Sequence, residues 1–160
     1  PTLVDGDQVI FESAAIAMHL CEQHPEHQLI PEMGSSERAE FFQWLFYLTT
    51  SIQTGLMLYF YPDKHTLAQG NYADISNAQE QRVTEIFALL DKELSSKKFL
   101  LGDHLSLCDF FVFMLSHWAS GFSTPPLSFQ HLGRYLRDLA SRPSVKSVCE
   151  IEGTSLEAYQ

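Results

Sequence analysis

The change of residue period at Phe11 constrains this chain most. Thr2 to Val4 and Gln8 to Phe11 are short, apolar and β-prone, and Asp5-Gly6 between them is a hairpin-turn signal because glycine accepts positive φ. After Phe11 the pattern is helical. Ser13 is a good N-cap, Ala14 and Ala15 favour helix, Ile16 and Leu20 are i,i+4 partners, and Pro25 closes the segment. A helix starting directly off a strand turns its unpaired N–H groups and positive dipole end toward that junction, which favours an anion there. A small carboxylate would take backbone N–H groups and the Ser13 hydroxyl, while Glu12 would accept from an ammonium group. Together they fit the zwitterionic end of an amino acid. On spacing alone, Ser13 as a plain cap and Glu12 as a plain first-turn acid is the competing reading.

Residues 26–35 form a polar connector broken by Pro31 and Gly34, and this is the natural boundary between an opening unit, residues 1–25, and a larger one, residues 36–160. Beyond it no β-type alternation occurs. Ser36-Glu37-Arg38-Ala39 opens a long helix that Pro62 ends, and its run Phe41, Phe42, Trp44 to Leu48 is wider than one core-facing stripe, which predicts burial on two sides, as at a subunit interface. Asp63 to Ile75 reads as a loop, and Ser76 to Gln79 as a capping box for a helix whose face is Val83, Ile86, Phe87, Leu90 and Leu94. A second box, Ser106 to Asp109, precedes the buried-type run Phe110 to Leu115. Reciprocal backbone bonds satisfy such a pair, so Asp109 is structural and not a catalytic acid. Helices over Ser128 to Ser141 and around Val145 to Glu150 follow, then a tail.

Composition narrows the function. At 160 residues, 45% hydrophobic and 19% charged, the chain is globular and large enough for a substantial core, with no apolar run of membrane-spanning length. A net charge of -10 argues against nucleic acid, since only Lys97 and Lys98 are adjacent cations. Cys21, Cys108 and Cys149 lack disulfide or zinc spacing and suit a reducing cytoplasm. His24, Glu26 and His27 have no second ligand cluster, so no metal site is expected.

Pro1, the Asp5-Gly6 hairpin and Glu12-Ser13 followed by Ala15-Ile16 and Leu20 resemble the second half of the glutathione-binding domain of cytosolic glutathione transferases, of bacterial type. The Glu37-Arg38-Ala39 to Trp44-Leu45 pattern, Gly102 with Ser106 and Asp109, and the succession Tyr135-Leu136, Leu139-Ala140, Arg142-Pro143 resemble that family's helical domain in the same order. The resemblance implies a mainly α fold: an all-helical C-terminal domain preceded by a β-hairpin and helix from a thioredoxin-like α/β domain. It implies that Pro1 is the domain's cis-proline, and that Pro1, Glu12 and Ser13 bind glutathione, the last two at its γ-glutamyl end. It implies further that Ser106 and Asp109 are the N-capping box of the central helix, that the long first helix of the helical domain contributes to a homodimer contact, and that Tyr47, Gln53, Met57 and Trp118 stand near a pocket for a second substrate.

The family's catalytic Ser, Cys or Tyr lies in a β-α-β unit before the proline, so no residue here takes that role. Conjugation of the glutathione thiolate to an apolar electrophile, with glutathione as co-substrate, is therefore expected of the intact protein, and weak or undetectable glutathione binding without conjugation of residues 1–160 alone. The alternative is a non-catalytic interaction module on the same fold.

Overall fold

The computed structural model describes residues 1–160. β1 (Thr2–Asp5) pairs antiparallel with β2 (Gln8–Phe11), with Leu3 opposite Ile10 and Val4 opposite Val9. The turn is centred on Gly6-Asp7, one residue later than expected, because Asp5 completes β1 by pairing with Gln8. Gly6, at φ 57°, occupies the first central position, where a two-residue hairpin loop of type II′ needs glycine. Leu3 and Ile10 are half-buried, whereas Val4, Val9 and Phe11 are 69%, 66% and 70% exposed. One face of this two-stranded sheet is thus uncovered, and the hairpin depends on the helix beside it.

That helix is α1 (Ser13–Gln23), which has no fully buried residue. Ala14, Ala17, Met18 and Cys21, at i, i+3, i+4 and i+7, lay one stripe against the helical core. A 3₁₀ turn (Pro25–His27) leads into an irregular connector that is tied down at two points: the Leu29 carbonyl accepts from Leu107 N–H at 2.9 Å, and the Pro31 carbonyl accepts from the Arg38 guanidinium at 2.7 Å.

The helix expected from Ser36 to Tyr61 is a continuous helical run in three parts: α2 (Glu37–Tyr47), a π-helical segment (Leu48–Gln53) and α3 (Thr54–Phe60). The wider winding is accompanied by threonine hydroxyls that bond back to the main chain: Thr49 to the Leu45 carbonyl at 2.9 Å, and Thr50 to that of Phe46 at 2.7 Å. Phe41, Trp44, Leu45 and Leu48 are buried, Phe42 and Tyr47 half-buried, and Phe46 is 59% exposed. Within one chain, therefore, only one side of the aromatic run is covered.

α4 (Tyr72–Glu93) begins one turn before the expected cap, so Ser76 to Gln79 lie inside it. Tyr72, Ile75 and Gln79 are partly buried and extend the face continued by Val83, and packing carries the helix past the local cap signal. The Ser76 hydroxyl donates to the Tyr59 carbonyl at 3.0 Å and joins α4 to α3. These two helices approach closely because Gly55 faces Val83: a Cβ at Gly55 would stand 2.6 Å from the Val83 Cγ2.

α5 (Leu107–Trp118) is the central helix, with Leu107, Cys108, Phe111, Val112, Phe113 and Leu115 all buried, as an apolar helix covered on most sides must be. The Ser106 and Asp109 capping box is present at its start. The box anchors more than its own helix, since the Asp109 carboxyl also accepts from Leu100 N–H at 2.8 Å and from the Tyr135 hydroxyl. α6 (Gln130–Ala140) supplies Leu132, Tyr135, Leu136 and Leu139 to the core, and Asp91 of α4 caps it by accepting from the N–H groups of His131 (2.6 Å) and Leu132 (2.8 Å).

α7 (Pro143–Ile151) follows, and the end of the chain is not a free tail. A 3₁₀ turn (Glu157–Tyr159) buries Tyr159 against Phe113, ring centroids 5.2 Å apart, with its hydroxyl 3.2 Å from the His117 Nδ1. One aromatic residue with a polar tip is enough to fold the last turn back onto α5. The mainly helical architecture behind a single hairpin is as the sequence predicts, and no helix is long and apolar enough to cross a membrane.

Candidate functional site

β2 ends at Phe11 and α1 begins two residues later, so the chain must reverse direction at Glu12. It does so with Glu12 at φ 72°, ψ 118°, a conformation uncommon for a non-glycine residue. The N-cap position belongs to Glu12 and not to Ser13, which is the first helical residue. This corrects the sequence assignment by one position; the β-strand geometry persists through Phe11 and leaves Glu12 as the half-helical flank. The Glu12 carbonyl accepts the first helical bond, from Ile16 N–H at 2.9 Å.

The N–H groups of Ser13, Ala14 and Ala15 precede that bond and have no carbonyl of the helix to donate to. No side chain caps this end and no acid stands in the first turn. Ser13 is half-buried and Glu12 exposed, and neither side chain is engaged by a hydrogen bond within the chain. The junction therefore presents N–H donors, a hydroxyl and the positive end of a helix dipole beside a free carboxylate. Pro1 lies exposed immediately before β1.

At the other end of the hairpin, Asp5 is fastened to α1. Its Oδ2 accepts from the Gln23 side-chain amide at 2.7 Å and lies 2.8 Å from the His19 Nε2. The bond to His19, and after it that to Gln23, holds the Asp5 carboxyl below the usual carboxylate range. A carboxylate only accepts, so the His19 Nε2 carries the proton. By local spacing Asp5 is a turn residue alone; the sequence signal for its second role is His19 and Gln23 at i,i+4 on one helix face.

Two of the four positions expected near a second substrate, Trp118 and Tyr47, border different cavities. Trp118 borders an apolar cavity of about 440 Å³ between α5 and α7, with Phe113, Met114, His117 and Val148. Tyr47 lines a groove of about 570 Å³ between α2 and α4, beside Phe46 and Leu89. Gln53 and Met57 are half-buried and line neither. The π-helical segment between Tyr47 and Thr54 winds more slowly than an α-helix, so residues at α-helical spacing across it do not share a face.

Among the cysteines, burial pushes the Cys108 thiol up to about 12, and the thiols of Cys21 and Cys149 are also raised, chiefly by burial. None of the three has the lowered pKa of an activated nucleophile. Cys21 lines a further cavity of about 640 Å³ enclosed by the end of α1, the connector and the loop before α5, together with Arg38 and His104. No three His, Cys, Asp or Glu side chains converge as a metal-ligand set.

Residues 47–143 match the family model described as the glutathione S-transferase C-terminal domain. Glutathione S-transferase Z2 of Arabidopsis thaliana is 35% identical over 116 residues, 70% of this chain and 50% of that protein. The bacterial beta-class glutathione S-transferase of Sphingomonas chungbukensis is 26% identical, with a TM-score of 0.84 over 97% of this chain and 74% of that one. A sphingomonad glutathione S-transferase in complex with glutathione shares the fold, with a TM-score of 0.82 at 24% identity, covering 97% and 74% of the two chains. The chain spans about half the length of the curated relatives it matches first.

Proposed function

Because the chain belongs to the glutathione S-transferase family, we propose that it contributes the γ-glutamyl half of a glutathione site, in a protein that conjugates the glutathione thiolate to an apolar electrophile. The carrying observation is the β2–α1 junction: an uncapped helix start with a free Ser13 hydroxyl beside the free carboxylate of Glu12. The γ-glutamyl carboxylate takes the N–H groups and the hydroxyl, and its ammonium group takes Glu12. Pro1 is assigned to the cysteinyl side of the same ligand. In the reaction the thiolate sulfur attacks an electrophilic carbon and forms the C–S bond as the bond to that carbon's leaving group breaks, the group departing with the electron pair. Binding at the γ-glutamyl end orients the tripeptide but stabilises no thiolate, so no residue among 1–160 is assigned that role.

The two-unit division, residues 1–25 and 36–160 around a connector, is part of this reading, as is a cytoplasmic setting for a chain with three free thiols. A homodimer through α2 is favoured by the exposed side of its aromatic run. For the second substrate, Trp118 is the candidate position that borders an apolar cavity.

The test is calorimetry of glutathione binding to the full-length protein. Ser13→Ala removes a hydrogen bond of about 1 kcal/mol and should weaken binding roughly fivefold. Glu12→Gln should weaken it by at least as much through the lost charge. Parental affinity in both variants would refute the γ-glutamyl assignment, and a full-length protein without glutathione binding or conjugation would favour the interaction module.

A further inference from the structure

We propose that Asp5 and His19 are positioning residues of the glutathione site: they latch the hairpin to α1 and thereby set the backbone angle at Glu12 that aims the Ser13 N–H and hydroxyl. This rests on the γ-glutamyl reading of the junction given above.

The geometry is that of a hinge with its latch at the far end. β2 and α1 leave Glu12 as two arms, the strand about 13 Å long at roughly 3.3 Å per residue, and the helix about 9 Å from Ser13 to His19 at about 1.5 Å per residue. The hinge is the single residue at φ 72°, where the chain has neither a strand partner nor a side-chain cap to hold it. The latch is Asp5, at the turn end of the hairpin, which meets His19 at 2.8 Å and Gln23 at 2.7 Å. These are the side-chain hydrogen bonds that join the hairpin to the rest of the chain. Apolar contact between the arms is thin: α1 buries no residue fully, and Val4, Val9 and Phe11 point away into solvent. With little packing to define the angle between strand and helix, the polar latch defines it, and a small angular change at the hinge swings the first-turn donors directly.

Asp5 is available for this because nothing else claims it. Glu22, on the same helix, lies 3.8 Å from Arg38; Glu26 pairs with His24 and His27; and Asp7, beside the turn, makes no ion pair. Asp5 alone faces His19.

The experiment is residue-resolved NMR of the full-length protein with four variants: Asp5→Ala, His19→Ala, the milder Gln23→Ala, and Asp5→Asn, whose side-chain carbonyl can still accept from both partners. Amide exchange at Leu3 and Ile10, whose N–H groups face the partner strand, reads the latch, and the Glu12 and Ser13 amide shifts read the hinge. Titration of the same samples with glutathione reads the site. Asp5→Ala and His19→Ala should raise hairpin exchange at least tenfold, move both hinge resonances and weaken glutathione binding severalfold. Gln23→Ala should fall between, and Asp5→Asn should restore all three readouts toward the parent. Unchanged exchange and hinge shifts in Asp5→Ala and His19→Ala would overturn the latch, and so would equal glutathione affinity in all variants when glutathione shifts Glu12 and Ser13. If the variants move the hinge while glutathione leaves Glu12 and Ser13 unshifted in the parent, the latch stands and the γ-glutamyl reading falls.

Discussion

The Tyr135 hydroxyl, carried on α6, donates to the Asp109 carboxyl at the start of α5. Both residues are buried, and the same carboxyl accepts from the N–H groups of Leu100 and Ser106 at 2.8 and 2.7 Å and from the Ser106 hydroxyl at 3.0 Å. One side chain therefore gathers the loop before α5, the first turn of α5 and the middle of α6.

Tyr135→Phe removes one donor and leaves Asp109 with three, so it should cost about 1 kcal/mol. Asp109→Ala leaves two buried N–H groups and two hydroxyls without an acceptor, and should cost about 3 kcal/mol or more. Urea unfolding of the two variants measures both; equal losses would show that the Asp109 bonds to the Leu100 and Ser106 backbone carry no weight.

Burial, then the Asp109 charge and the bond to it, hold the Tyr135 hydroxyl well above its ordinary value of 10.0. A group whose folded pKa is raised contributes stability that is complete below its unfolded value and is lost as pH rises beyond it. Stability should accordingly fall above about pH 10, and Tyr135 should ionise only as the chain unfolds. Tyrosinate absorbance followed together with circular dichroism checks this. A tyrosinate step in a folded chain, missing from Tyr135→Phe, would contradict it.

Gly133 sits in the first turn of α6, where an added Cβ would stand 2.7 Å from the Leu127 carbonyl oxygen. Alanine improves helix propensity by about 1 kcal/mol, but overpacking against a backbone atom that cannot swing aside costs about 1–3 kcal/mol. Gly133→Ala should therefore melt at lower temperature than the parent. A higher melting temperature would mean that the Pro126–Ser128 turn yields easily.

Phe46, 59% exposed on α2, lies beside Leu89, which is 44% exposed on α4. If this face joins two copies, sedimentation at micromolar concentration should give a dimer for the parent and a monomer for Phe46→Glu. A monomeric parent would remove the argument for an α2 interface.

Helix existence was readable wherever apolar spacing ran for several turns, as at Val83 to Leu90 and Leu132 to Leu139. Boundaries were less so. The Ser76 to Gln79 cap signal is real as a pattern but lies inside α4, because Tyr72 and Ile75 find partners and extend the helix backward. The residue pattern puts the cap at Ser13, one position late, because the strand ladder reaches Phe11 and gives Glu12 the flank.

From its own order of residues, this chain determined its element types, the buried α5 with its Ser106 and Asp109 box, and the junction of a strand with a helix at Glu12-Ser13; each follows from local spacing and local bonding. Tertiary structure alone decided the π-helical winding of Leu48–Gln53, the return of Tyr159 onto α5, the parting of Tyr47 from Trp118 and the fastening of Asp5 to His19. The reason is common to all four: these depend on which atoms meet across elements distant in sequence or on the phase of one helix against its neighbours, and residue spacing within an element carries neither.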